Sequence, residues 1–141
     1  MKTILVLFAL VAAVVAQKEP WCRCGIFINF DDEQELVYTL ENIIIDDCVA
    51  SAEACKTGCA AEINEFTNDG DLWSLTSSGE TVGQAICTKM AAAEHHHSHH
   101  YIHNRNVYGY FGLCAGPWEY ADVKSQQMLC CEDGVHAHCH N

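Results

Sequence analysis

The chain has 141 residues, half of them apolar, with 19 acidic and 7 basic side chains and a formal charge of −12 with histidine neutral. That balance excludes a nucleic-acid binder, which needs a basic footprint, argues against binding to anionic membranes, and favours cations as partners. The size suits one domain around one core.

In chain order, residues 1–16 read as a secretory signal. Lys2 supplies the positive start, ILVLFALVAAVVA the apolar stretch, and Val14-Val15-Ala16 the small residues before a cut. Gln17 is the expected mature N-terminus, and residues 17–141 are expected to form a single domain. This mature chain has 125 residues; without Lys2 it keeps six basic residues against 19 acidic ones, a charge of −13. No later apolar run is long enough to span a bilayer.

Residues 24–30 (CGIFINF) and 36–45 (LVYTLENIII) are β-prone and suggest a hairpin with an acidic tip, Asp31–Glu35. Asp46-Asp47 can cap a following helix over residues 48–66. There Cys48, Ala52, Cys55, Cys59, Ile63 and Phe66 recur at helical spacing and form one buried stripe. Thr81 is expected to cap a second helix, with Val82, Ile86, Cys87 and Met90 facing in, running through the alanines to about residue 100. Residues 107–114, 126–131 and 135–139 read as strands, the last two around a Glu132-Asp133-Gly134 turn. The expected fold is α+β: a small disulfide-rich domain with an antiparallel sheet of about four strands and two helices.

All ten cysteines follow the signal: Cys22, Cys24, Cys48, Cys55, Cys59, Cys87, Cys114, Cys130, Cys131 and Cys139. An even count in a small secreted domain predicts five disulfides, whose pairing the spacing leaves open. Cys22 and Cys24 would face one side of a strand. Cys55 and Cys59, one helical turn apart, are each expected to bridge out to a different element. Adjacent Cys130 and Cys131 point to opposite faces and so need different partners. Neither the CxC nor the CxxxC spacing has a second knuckle to complete a zinc finger.

Nine histidines form two clusters. In EHHHSHHYIH, a helix would put His95, His99 and His103 on one face and His96 and His100 on its neighbour. Paired one turn apart, such imidazoles chelate Zn²⁺ or Cu²⁺, with Glu94 as an oxygen ligand or hydrogen-bond acceptor behind them. Read as a loop, the same tract is a weaker, unstructured metal binder. His136, His138 and His140 alternate and on a strand would line one face while Cys139 points away. The zincin motif fails, because His96 stands where its catalytic glutamate belongs. An EF-hand reading of NDGD fails for want of the bidentate glutamate. YGYFGLCAG with CCEDGVHAHC has a superficial likeness to secreted phospholipase A2, but Gly134 occupies the position of the catalytic histidine. The acidic tip, Asp31, Asp32, Glu33 and Glu35, could hold calcium weakly, but it reads rather as a solvated turn. The aromatics Tyr101, Tyr108, Tyr110, Phe111, Trp118 and Tyr120 read as packing residues rather than a glycan or partner surface.

The run of motifs from WCRCGIFI through LVYTLENIIIDDC, CKTGCAAEIN and VGQAIC to YGYFGLCAGPW and YADVKSQQMLCC resembles small secreted cysteine-rich proteins of gastropod molluscs, described as developmentally regulated in larvae. The resemblance covers nearly the whole mature chain. It implies an extracellular, non-enzymatic protein, such as a matrix component, and supplies no functional residues.

These readings converge on a secreted, non-enzymatic binding or matrix protein that takes Zn²⁺ or Cu²⁺ through its histidine clusters. Its expected partners are divalent metal ions and extracellular protein or glycan matrix, with metal-crosslinked oligomers as one form. The alternative is a partner-binding developmental or defence signalling module whose histidines are incidental or sense pH. An enzyme ranks third, because no nucleophile–base pair or complete catalytic motif is present.

Overall fold

The computed structural model describes residues 20–92 and 98–140; the predicted signal segment lies outside them. Its class is the expected α+β, with two helices, α1 (Ala52–Phe66) and α2 (Val82–Ala91), among the described residues. The strands form two antiparallel sheets rather than one. The larger has the order β2-β1-β5-β6, from Gln34–Thr39, Trp21–Asn29, Val107–Leu113 and Trp118–Lys124, and β3 (Ile43–Ile44) also pairs with β1. The smaller has the order β4-β7-β8, from Ile102–Arg105, Leu129–Glu132 and Val135–Ala137. No helix among the described residues is long and apolar enough to cross a membrane.

β1 is the central strand, and its two faces have different coverings. Alternate residues Cys22, Cys24, Ile26 and Ile28 are fully buried. Disulfides Cys22–Cys55 and Cys24–Cys59 fasten this face to α1. The helical cysteines therefore bridge to the same strand, not to different elements. The reason is metric: residues two apart on a strand and four apart on a helix both advance by about 6–7 Å. On the opposite face Phe27 meets Tyr110 and Trp118 edge-on at 5.0 and 5.1 Å, and the Arg23 guanidinium lies 4.4 Å over Trp118. Gly25 is required beneath this layer, since a Cβ there would lie 3.0 Å from both the Phe27 and Trp118 rings.

α1 begins at Ala52, four residues later than expected. Asp47 holds the preceding turn by accepting from the amides of Val49 and Ala50, and Cys48 in that turn bonds Cys114 at the end of β5. The helix stops because the Thr67 hydroxyl donates to the Ile63 carbonyl and accepts from the Gly70 amide. Asn68, Asp69 and Gly70 then turn the chain in the left-handed region, at φ 51, 59 and 75°. Phe66 leaves the buried stripe and is half exposed. Thr81 caps α2 as expected, its hydroxyl accepting from the Gln84 amide at 2.9 Å. Cys87–Cys131 joins α2 to β7, and Cys130–Cys139 ties down the C-terminal tail, so Cys130 and Cys131 do take different partners.

The strand–helix staple has a measurable worth. Replacing Cys24 and Cys59 together by serine opens a bridge spanning 35 residues, whereas Cys130–Cys139 spans 9. Chain entropy puts the first loss at about 3–4 kcal/mol and the second about 1 kcal/mol lower. Urea unfolding of the two double variants should therefore rank C24S/C59S as the less stable; the reverse order would contradict this account.

Candidate metal centre

The tip of the β1–β2 hairpin is a four-residue turn closed by the Phe30 amide donating to the Glu33 carbonyl at 2.8 Å. It is shorter than the acidic tip read from the sequence, because Gln34 and Glu35 already belong to β2. Glu35 is 8% exposed, an unusual depth for a carboxylate. Its Oε1 lies 3.2 Å from Nε2 of His99, and the His99 ring stacks on Phe30 at 4.3 Å and 10°. The guanidinium of Arg105 lies 5.5 Å from the centre of the Phe30 ring and donates to both carboxylate oxygens of Asp31. That hydrogen bond holds the Asp31 carboxyl below the usual carboxylate range. One oxygen each of Glu33 and Glu35 and one nitrogen of His99 lie within 4.8 Å of one another.

The backbone around His99 is anchored on both sides. The His99 amide donates to the Met90 carbonyl at 2.9 Å, and the Gly134 amide donates to the His100 carbonyl at 2.8 Å. The first of these bonds overturns the helical reading of the cluster. The Met90 carbonyl is spent on a residue nine positions later, α2 ends at Ala91, and the chain enters β4 by Ile102. His99 and His103 therefore share no helical face, and His100 likewise lies outside any helix. Glu94, His95, His96 and His97 lie outside the described residues. His100 is exposed and lines a shallow hollow of about 420 Å³ with Ser98, His99, Tyr101 and Asp133. His103 is exposed on β4.

The C-terminal histidines serve a different structure. His136 on β8 and His138 just beyond it both stack on Trp73, at 3.8 and 4.2 Å. Nδ1 of His136 is 2.8 Å from the Thr81 hydroxyl, and its amide donates to the Gln84 side chain. Gly83 makes room for this ring, since a Cβ there would lie 2.2 Å from it. His140 is exposed beyond the strand. The alternation of His136 and His138 thus produces a shared aromatic contact rather than a ligand set. Among the described residues no group of three potential ligands within 4.8 Å holds two histidines. The other such group, Cys22, Cys55 and Cys59, is committed to disulfides.

Glu33 and Glu35 were not among the transition-metal ligands expected from the sequence, which assigned them to a solvated turn with at most weak calcium affinity. Glu33 ends the turn and Glu35 lies in β2, and the two bring their carboxylates close together, but nothing in the local sequence pairs them with His99. Compared with known proteins, the chain matches no family model, no curated protein and no solved structure.

His136 makes stability pH-dependent. Burial, and secondarily the neighbouring His138, lower its pKa below the ordinary value of 6.5. Its Nε2 is buried without a partner among the described residues. The folded protein therefore binds this proton less readily than the unfolded chain. The stabilisation is complete above pH 6.5 and is lost as pH falls through the unfolded value towards the lower folded one. The urea midpoint should drop between pH 7.5 and 5, and His136→Phe should shrink that drop. An undiminished drop in the variant would refute the assignment.

Proposed function

We propose that the chain is a secreted, non-enzymatic extracellular protein that binds one divalent transition ion, Zn²⁺ or Cu²⁺, through Glu33, Glu35 and His99. The observation that carries this reading is the buried Glu35 carboxylate facing His99 Nε2 at 3.2 Å. Ligands about 2.1 Å from a tetrahedral zinc sit about 3.4 Å from one another, close to this separation. Two carboxylates offset the ion's double charge, and imidazole favours zinc or copper over calcium. The Phe30 ring, stacked against the imidazole, fixes its orientation, as a hydrogen-bonded neighbour does in many metal sites. Three protein ligands leave a coordination position open to water or to a donor from a partner molecule, which suits a matrix component. Extracellular placement rests on the apolar leader and on five disulfides, which persist in oxidising compartments.

A partner-binding module with pH-sensing histidines is the second reading. It is favoured by His136, half buried against Trp73 and Thr81, whose protonation would disturb the C-terminal hairpin.

Competition against a chromophoric zinc chelator, using untagged protein stripped of metal, tests the first reading. One Zn²⁺ per chain is expected. Glu35→Gln and His99→Ala should each weaken binding about tenfold or more, and His138→Ala should leave it unchanged. Wild-type affinity in both the Glu35 and His99 variants would sink the proposal. Loss of binding only when His95, His96 and His97 are replaced together would move the site to that tract.

A further inference from the structure

A cleft of about 630 Å³ opens between the C-terminal end of α1, the first turns of α2 and the loop joining them. It is remote in composition from the metal centre and shares no residue with it. Its size is that of a small-molecule site. Ile26, Val82 and Ile86 supply its apolar floor. Phe66 and Leu75 line it and remain 52% and 70% exposed, so two large apolar side chains lie uncovered among the described residues.

The cleft is preformed. Tyr38 meets Phe66 edge-on at 5.6 Å, and its hydroxyl donates to the Ala85 carbonyl at 3.0 Å. Burial, and secondarily the Glu80 charge, raise the Tyr38 pKa and keep that hydroxyl protonated. The loop rim is held by the Thr76 amide on the Glu80 carbonyl at 2.7 Å, by the Gly79 amide on the Thr76 carbonyl at 3.0 Å, and by a Leu75–Thr81 bridge.

Charge then selects the occupant. The acidic groups lining the cleft are Glu65 and Glu80, and neither makes an ion pair among the described residues. Among the described residues no basic side chain lines it; the ammonium of Lys89 lies 5.6 Å from the centre of the Tyr38 ring. Carboxylates at the rim of an apolar and aromatic cleft attract organic cations by charge and take up their apolar bodies by burial. An anionic ligand of the same shape would set its charge against the Glu65 and Glu80 carboxylates and be disfavoured.

We propose that this cleft binds a small amphipathic organic cation, an ammonium group carried on an aromatic or short alkyl body, with the ammonium at Glu80 and Glu65 and the apolar body on Phe66 and Leu75. The site is independent of the metal centre and stands whether or not that centre binds metal.

The test is a titration of the ¹⁵N-labelled, disulfide-intact chain with phenethylammonium chloride and, in parallel, sodium phenylacetate, reading amide chemical shifts. Saturable shifts are expected on residues 65–68 and 75–80 with the ammonium compound alone. Glu80→Gln and Phe66→Ala, both at exposed positions, should each weaken binding at least about fivefold. Glu119→Gln, which removes an exposed carboxylate on β6, should bind as the wild type does. Absence of saturable shifts, saturation by phenylacetate at equal concentration, or unchanged affinity in Glu80→Gln would overturn the assignment, as would shifts spread over the acidic surface at large.

Discussion

Two covalent bonds between one strand and one helix organise this protein. Cys22–Cys55 and Cys24–Cys59 advance together along β1 and α1, so the helix runs in the same direction as the strand and can neither rotate nor slide on it. A single bridge would fix one point and leave the helix free to pivot about it. The strand so held pairs on its edges with β2, β3 and β5, and the aromatic layer of Phe27, Tyr110 and Trp118 closes the face that the helix does not reach. A domain of this size buries a modest core, and cross-links of this kind compensate for it by restricting the unfolded chain.

The smaller sheet is attached by other means. Cys87–Cys131 binds β7 to α2, and α2 reaches the larger sheet through the Tyr38 hydroxyl on the Ala85 carbonyl. At the hairpin tip the two sheets meet through polar groups. His99 approaches Glu35, and Arg105 of β4 binds Asp31 while lying over Phe30. The exposed Asp31–Arg105 pair is screened and contributes little to stability. Glu35 differs because it is buried, and a buried carboxylate needs a hydrogen-bonded or cationic partner. The same carboxylate and imidazole form the candidate metal centre proposed above. A cation there would join the sheets more firmly than the imidazole alone.

The two candidate sites share an electrostatic logic. A chain with 19 acidic and 7 basic residues favours cations over anions in general, so selectivity among cations must come from local shape. At the hairpin tip it comes from an imidazole with two carboxylates, a donor set for a transition ion. In the cleft it comes from apolar and aromatic walls beneath two carboxylates, which a hydrated metal ion would not fill.

The class of the fold, the hairpin, the first helix, the Thr81 cap and the presence of five disulfides were legible in the sequence, because each rests on local composition or on the parity of the cysteine count. Strands β4 and β6 were not. IHNR is polar, and its strand character comes from pairing with β7; in WEYADVK only Ala121 and Val123 are buried, and Asp122 breaks the regular backbone with φ 59°. The alanine-rich run after Met90 has every local reason to stay helical, yet α2 stops where a distant amide takes the Met90 carbonyl. The histidines show the same division. Their abundance, and the affinity of imidazole for metals, belong to the sequence. That His99 meets a buried glutamate from a hairpin 64 residues away, while His136 and His138 stack on Trp73, was decided by the tertiary structure, since only long-range packing brings such partners within bonding distance.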